Sequence, residues 1–456
     1  MKRQIITLTI LFTYLFIGCN KSDFLDKKPN TGIVQPVSLD DFQHLLDNSN
    51  VFNYAGGLAQ ISSDDYTVSY EDWQAEAEID RNAYLWERDI YGGTQNIRDW
   101  NQLYQQIFYA NNVLDGINKI DNGEQADYLK GWALFARAFA NFDLVRNFCK
   151  PFDEQHARTE LGIPVRLRGG IDEIEGRSSL EDTYDHILTD LMEAAALLPV
   201  DRPANNLNRP SRAAAYALLA RVYLDMRKYQ EAARYTDQAL GIYDVLIDYN
   251  NVSSTSATPF NKFNEELLYN ATQVLSYRFS VSTNSSPAKV NPVLIDLYET
   301  HDLRLQLFFG ELNDGSFYKK VGYCGEGGYP FTGLATDELY LIKAECLARA
   351  GETHEAMAVL NKLLIHRYDK QIEFEPLKAS TSSEALETIL LERRKELVWR
   401  GGRWHDIKRL NMEGANITLS RELNGQQYRL EPNSSRYVFP IPDDEIALSG
   451  IQQNER

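Results

Sequence analysis

The chain begins with an apolar run, crosses a polar and aromatic stretch without a period, and then settles into helical spacing. Residues 5–17 are apolar apart from Thr7, Thr9, Thr13 and Tyr14, and Lys2 and Arg3 precede them. The run is too short for a membrane-spanning helix, which needs about 20 residues. Small Gly18 and then Cys19 close it, the layout of a cleaved secretion signal rather than of a fold element. A cysteine at that place is what a lipoprotein signal peptidase requires. The expected mature chain therefore starts at Cys19, with a diacylglycerol on its thiol and residues 19–30 as a polar, lipidated tether. Several acyl chains anchor stably where a single one binds marginally.

Leu39 to Leu46 reads as a short helix, with Ser38 as N-cap and Asp41 in a box-like role. Residues 49–96 are rich in Asp, Tyr, Trp and Gly, show no sustained period, and read as surface loops. Helical spacing takes over with Trp100, Leu103, Tyr104, Ile107, Ala110 and Val113, one apolar face at steps of three and four. Residues 128–148 repeat it through Trp132, Phe135, Phe139 and Phe142, and Pro151 follows the stop. Ser178 or Ser179 caps a helix whose face is Tyr184, Ile187, Leu188, Leu191 and Ala195, ended by Pro199. Asn208-Arg209-Pro210 opens the next, with proline in its first turn.

From there the spacing repeats. Tyr216, Leu219, Ala220, Tyr223, Ala232 and Ala239 match a tetratricopeptide (TPR) helix pair, in which small residues let two helices approach. Tyr340, Ala344, Leu347, Ala356, Leu360 and Leu363 reproduce the pattern later in the chain. Two such pairs so far apart are TPR-like hairpins interrupted by an insertion, or generic alanine-rich hairpins. The insertion, residues 250–335, carries Ser, Thr, Asn, Pro and Gly clusters, short β-rich pieces within 268–275, and a mobile glycine-rich loop at 322–330. A last long helix starts near Ser383 with a Thr381/Glu384 capping box and runs to Gly401-Gly402. Residues 437–442 form an extended apolar segment.

Composition narrows what this body does. The net charge of −18, or −20 once Lys2 and Arg3 leave with residues 1–18, argues against nucleic acid, whose phosphates need basic patches. Beyond Cys19 there are only Cys149, Cys324 and Cys346, an odd and scattered set that builds no disulfide framework and no CxxC pair. With 43% hydrophobic residues the chain holds itself by its core, and 26 Tyr with 6 Trp exceed what a core alone asks for. The histidines show no HExxH or i,i+4 pairing, so no metal site is expected. The 322–330 loop lacks the Gly-Lys-Ser/Thr ending of a phosphate loop, and no serine sits in a nucleophile elbow. Asp64-Asp65 can be posed as a glycosidase pair, but acids this frequent generate such pairs freely. No enzyme activity and no cofactor are expected.

Several stretches, taken in order, resemble the SusD/RagB family of outer-membrane nutrient-binding lipoproteins. Behind Cys19 stand Asp23-Phe24-Leu25-Asp26 and Pro29. Trp100, Tyr104, Ile107 and Asn111 follow, then Ala136-Arg137-Ala138-Phe139, Gly162-Ile163-Pro164, Leu197-Leu198-Pro199 and Ala217-Leu218-Leu219-Ala220-Arg221. Ala344-Glu345-Cys346-Leu347-Ala348 marks the second hairpin. The most specific piece is Glu392-Arg393-Arg394-Lys395-Glu396-Leu397, continuing to Gly401, Arg403, Asp406 and Arg409, and Phe439-Pro440-Ile441-Pro442 with Gln453-Asn454 closes the series. Arg400 departs from the family's usual Glu, and Ser449 from its usual Asn.

The resemblance implies a mainly α fold: TPR-like hairpins forming a right-handed scaffold, with irregular loop-rich insertions as the ligand face. It implies an N-terminal region at 31–249 and a C-terminal region at 250–456 packed as one body. It also implies lipid anchoring in the outer membrane facing the exterior, a SusC-like TonB-dependent β-barrel transporter as partner, and an oligosaccharide or, in some members, a peptide as cargo. A peptide- or protein-binding TPR-like interaction lipoprotein is the alternative. The Glu392–Arg409 charges read as a network tying the last helix to the chain end, since Arg forks pair with carboxylates.

A sugar-binding face needs flat rings for the apolar faces of pyranoses and polar side chains for their hydroxyls. The segment 64–101 offers Asp65, Tyr66, Tyr70, Trp73, Arg81, Asn82, Trp86 and Tyr91, and the insertion adds Tyr277, Tyr323 and Tyr329. Trp73 and Trp86 are the leading candidates, and Trp100, at helical spacing, is core.

Overall fold

A computed structural model describes residues 36–456 apart from 118, 121–122, 171–173, 282, 321 and 326–327. The expected leader, Cys19 and the tether lie outside the described residues. Residues 39–456 form one mainly helical unit, and the described strands are short and pair only in twos.

The apolar stripes fold as their spacing dictates. Arg98–Ile117 is a helix that buries Trp100, Leu103, Ile107, Ala110 and Val113. It packs on Glu124–Phe148, which is apolar on nearly every side because neighbours surround it. Trp100 is core: its ring meets Phe148 edge-on at 5.0 Å and Tyr104 at 4.8 Å. Leu180–Leu197 follows, with the Ser179 hydroxyl accepting from the Asp182 N–H at 3.0 Å. The next helix, Arg212–Asp225, is capped by Ser211, so Pro210 lies just outside the helix rather than in its first turn.

Arg212–Asp225 and Tyr229–Ile242 form the first hairpin, and Thr336–Arg349 and Thr353–Leu364 the second. Although the whole insertion separates them in sequence, the two hairpins pack together through Tyr229–Ile242 and Thr336–Arg349. Lys343 bridges to Asp237 at 2.6 Å, and the Tyr340 hydroxyl donates to the Asp244 carbonyl at 3.2 Å. The insertion thus loops out of a continuous helical stack.

The last long helix is Ser382–Glu396, N-capped by Thr381, and it ends sooner than its periodicity implies. Trp399 takes φ 59° and Gly401 φ 68°, so the chain reverses before Arg403–Asn411 begins. Residues 49–96 are also more ordered than their lack of period implies. They contain the short helices Leu58–Ser62, Tyr70–Ala75 and Glu78–Tyr84, each too brief to show a repeat. Among the described residues no helix is long and apolar enough to cross a membrane.

The Glu392–Arg409 charges form buried networks. Arg304 donates to Glu392 at 2.6 Å and to Glu396 at 3.0 Å, and Arg367 joins Glu396 to Glu266. Arg393 and Arg409 share Asp406, and Arg409 also grips Glu345. These contacts tie the last helix to the insertion and to the second hairpin more than to the chain end. Removing one partner would leave a buried charge uncompensated, a loss of about 3–5 kcal/mol.

Candidate functional site

The segment 56–91 and the insertion come together. Tyr66–Thr67 pairs antiparallel with Lys289–Val290, and the Asn291 N–H donates to the Asp65 carbonyl at 2.9 Å. The Phe279 N–H donates to the Asp80 carboxylate at 3.1 Å, and Arg278 lies 3.6 Å from Glu76. Both regions expected to supply a ligand face therefore share one side of the fold.

Within that region the predicted residues divide into an inner and an outer group. Tyr66 and Trp86 are only 1% and 2% exposed. With Tyr84 they box in a guanidinium: the Arg421 carbon lies 3.5 Å from the centroid of Tyr84, 4.8 Å from Trp86 and 5.0 Å from Tyr66. Arg421 also donates to the Ser63 carbonyl at 2.5 Å, and the Trp86 indole N–H donates to the Ser62 carbonyl at 2.9 Å. These rings already hold a cation of the protein itself, so the expectation that Trp86 and Tyr66 face a ligand is corrected. Arg421 was not foreseen, yet Leu419-Ser420-Arg421-Glu422-Leu423 alternates, which sets Arg421 on the inward face beside two leucines.

Asp65 is likewise interior, with the Gln60 amide donating to it at 3.3 Å. Burial and the neighbouring Asp64 charge push its carboxyl upward. Asp64 shows the opposite outcome. Burial alone would raise it, but Arg403 at 2.8 Å and Arg394 at 3.0 Å hold it far below the ordinary carboxylate range. Asp64 is thus a clamp on the last helix and its following turn.

Tyr277 is also buried. Its hydroxyl donates to Asp99 at 2.6 Å, and Asp99 accepts from the N–H groups of Gly57 and Leu58 at 2.6 and 2.8 Å. Burial raises the Asp99 carboxyl to about 6. The approach is so close that a Cβ on Gly56 would lie 2.6 Å from Asp99 Oδ1, and one on Gly57 2.7 Å from the Tyr277 ring. Tyr323 lies beneath the Arg400 guanidinium, 3.7 Å from its ring centroid, and its hydroxyl donates to Glu266. Asp65, Tyr277 and Tyr323 are therefore withdrawn from the expected ligand face for the same reason as Trp86: their surfaces and polar atoms are spent inside the fold.

The outer group reaches solvent. Tyr70 and Trp73, on the helix Tyr70–Ala75, lie near-parallel, 5.9 Å apart at 17°. The Ser69 hydroxyl caps that helix by accepting from the Asp72 N–H at 3.1 Å. The Trp73 indole N–H donates to the Arg81 carbonyl at 3.2 Å, and the Arg81 guanidinium sits 5.6 Å from the Trp73 ring centroid. Asn82 closes the next loop by donating to the Asp89 carbonyl at 3.2 Å. Tyr329 is half-buried in the 322–330 loop. What remains accessible is an aromatic pair with a cation beside it. Among the described residues, no group of three His, Cys, Asp or Glu side chains is arranged to hold a metal ion.

Comparison with known proteins bears on this arrangement. A family model described as starch-binding and associating with the outer membrane matches residues 23–224, and a SusD family model matches residues 336–455. The stretch between them holds the whole insertion. A SusD-like protein, P2, of Formosa agariphila is 25% identical over 415 residues, covering 76% of this chain and 77% of that protein. The crystal structure of a SusD superfamily protein from Bacteroides thetaiotaomicron superposes with a TM-score of 0.72 at 21% identity, over 92% of this chain and all of that one. A laminarin-binding SusD-like protein superposes with a TM-score of 0.67 at 18% identity, over 91% and 98% of the two chains.

Proposed function

This chain belongs to the SusD family, and from that premise we propose that it captures an oligosaccharide outside the cell and passes it to a SusC-like TonB-dependent transporter in the outer membrane. The observation that carries the capture step is the outer aromatic pair, Tyr70 and Trp73, with Arg81 beside it. A pyranose presents C–H groups on its faces and hydroxyls at its edge, so a ring stacks on the pair while the guanidinium donates to oxygen. The starch-binding description of the N-terminal family model and the laminarin-binding relative support a glucan as the first ligand to try.

In this reading the acyl chains on Cys19 hold the protein to the outer membrane, and the helical stack is the rigid frame behind the ligand face. Catalysis has no part in it: Asp64, the more ionised member of the Asp64-Asp65 pair, is already engaged by two arginines. Calorimetry of the purified protein with maltohexaose and laminarihexaose tests the capture step. At least one should bind, and Trp73→Ala should weaken it at least tenfold. Affinity unchanged in that variant would remove Trp73 from the site. Association with a β-barrel transporter without affinity for any glycan would favour a peptide- or protein-binding role instead.

A further inference from the structure

We propose that the open cleft between the 150–160 loop, the helix Arg403–Asn411 and the segment 433–438 is a second saccharide site, taking one or two units of an uncharged glycan. The proposal rests on the glycan-capture reading, but the cleft shares no residue with the Tyr70–Trp73 platform. Its volume is about 400 Å³, inside the range of roughly 300–1,000 Å³ usual for small-molecule sites.

The walls are fixed before any ligand arrives. The Asn411 amide donates to the Ile417 carbonyl at 3.0 Å and accepts from the Ile417 N–H at 2.7 Å. The Asn454 amide donates to the carbonyls of Phe148 and Phe439, both at 2.8 Å, and accepts from Arg177 at 2.8 Å. Side chains locked this way lose little freedom on binding.

The chemistry of the lining selects the ligand class. At the mouth Lys150 pairs with Glu160 at 2.8 Å and His156 with Asp153 at 2.6 Å. The Lys150–Glu160 pair attracts no net ion, and the four groups offer donors and acceptors side by side. Each sugar hydroxyl is both donor and acceptor, so it matches that alternation better than a carboxylate or an ammonium would. Deeper in, the Lys408 ammonium donates to the carbonyls of Arg146 at 2.6 Å and Cys149 at 3.1 Å. Burial brings its pKa down to about 8. Met412 and Val438 supply apolar surface for the C–H face of a ring. Two sites on one chain would raise affinity for a long glycan by avidity, provided a single strand reaches both.

Titration calorimetry with maltohexaose and laminarihexaose tests this. Met412 is 38% exposed, so Met412→Trp fills the cleft without disturbing the core, and Ser435→Trp does so from the 433–438 segment. For the sugar that binds, wild type should show two sites per chain. Either cleft-filling variant should keep only the site that Trp73→Ala abolishes, and Trp73→Ala should keep only the site that those variants abolish. A single site in wild type, lost in Trp73→Ala and unchanged in Met412→Trp and Ser435→Trp, overturns the second site and leaves the capture reading standing. Failure of both sugars to bind wild type overturns both.

Discussion

Two clusters of aromatic rings lie within about twenty residues of each other, each beside an arginine, and they have opposite fates. Tyr66, Tyr84 and Trp86 close around Arg421 and disappear into the core. Tyr70 and Trp73 lie beside Arg81 at the surface. The ring chemistry and the cation–π contacts are the same. What differs is the origin of the cation. Arg81 comes from the next local helix, whereas Arg421 is brought by the distant hairpin Leu419–Leu423 and Gln426–Leu430, whose leucines are buried in the core. An aromatic-rich segment thus becomes core where a far-off strand covers it and stays available for binding where none does.

The largest way to test the contrast is to truncate a ring in each cluster. Trp86→Ala should cost about 4 kcal/mol of stability in denaturant unfolding, the range for emptying a buried Trp site. Trp73→Ala, at a half-buried position, should cost under about 1 kcal/mol. Equal losses would mean that both clusters are structural.

Arg421→Met is the next step down. It keeps most of the side-chain volume but removes the charge over three rings and the hydrogen bonds to the Ser63 and Ile61 carbonyls. A loss of about 2 kcal/mol is expected. Glycan affinity at 20 °C should stay within twofold of wild type, because the outer pair is untouched. A large loss of affinity with little loss of stability would place the box in the binding path.

A smaller effect comes from pH. Burial raises both Asp80 and Asp99 to about 6 in the folded state, above the value of about 4 for the unfolded chain. The folded state therefore binds protons more readily, and stability should rise as pH falls through 6. Between pH 7 and 5 each group contributes about 1 kcal/mol in that direction. Asp406, brought down to about 2 by Arg393 and Arg409 against the opposing effect of burial, works the other way, but its contribution is lost only below about pH 4. Thermal melts across this window check the slope, and Asp80→Asn should flatten it. His405, whose imidazole burial holds well below its usual range, works against them in the same window, so identical slopes for wild type and Asp80→Asn from pH 7 to 5 would contradict the sign.

The helical frame was legible because its signal is local. Apolar residues at steps of three and four place Trp100, Phe139 and Tyr184 in the core, and the Ser179 cap can be read from one tetrapeptide. The interruption of the two hairpins was also legible, although their packing against each other was not, since it depends on contacts across the insertion. The site was only half legible. Sequence alone groups Trp73 with Trp86, because composition is blind to which ring Arg421 will reach. The early end of the last helix was hidden for a related reason: Leu397 and Trp399 continue the apolar pattern, but Trp399 does so in a left-handed turn, with its indole N–H donating to the Ser280 carbonyl at 3.2 Å.

The finest distinction lies within the outer pair itself, between the face of Tyr70 and its hydroxyl. The hydroxyl has a local role, accepting from the Gln74 amide at 2.8 Å one turn along the same exposed helix. Losing a solvated hydrogen bond of this kind costs little, because water replaces the partner. The ring face is what would meet a sugar. Tyr70→Phe should therefore leave affinity for the bound hexasaccharide within twofold, while Tyr70→Ala, which removes the stacking surface, should weaken it about fivefold, with stability in both variants within about 0.5 kcal/mol of wild type. If Phe and Ala weaken binding equally, the hydroxyl is the contact and the stacked face is not. If neither changes affinity, the platform narrows to Trp73 and Arg81, and the separation between an inner structural cluster and an outer binding pair shrinks to a single indole.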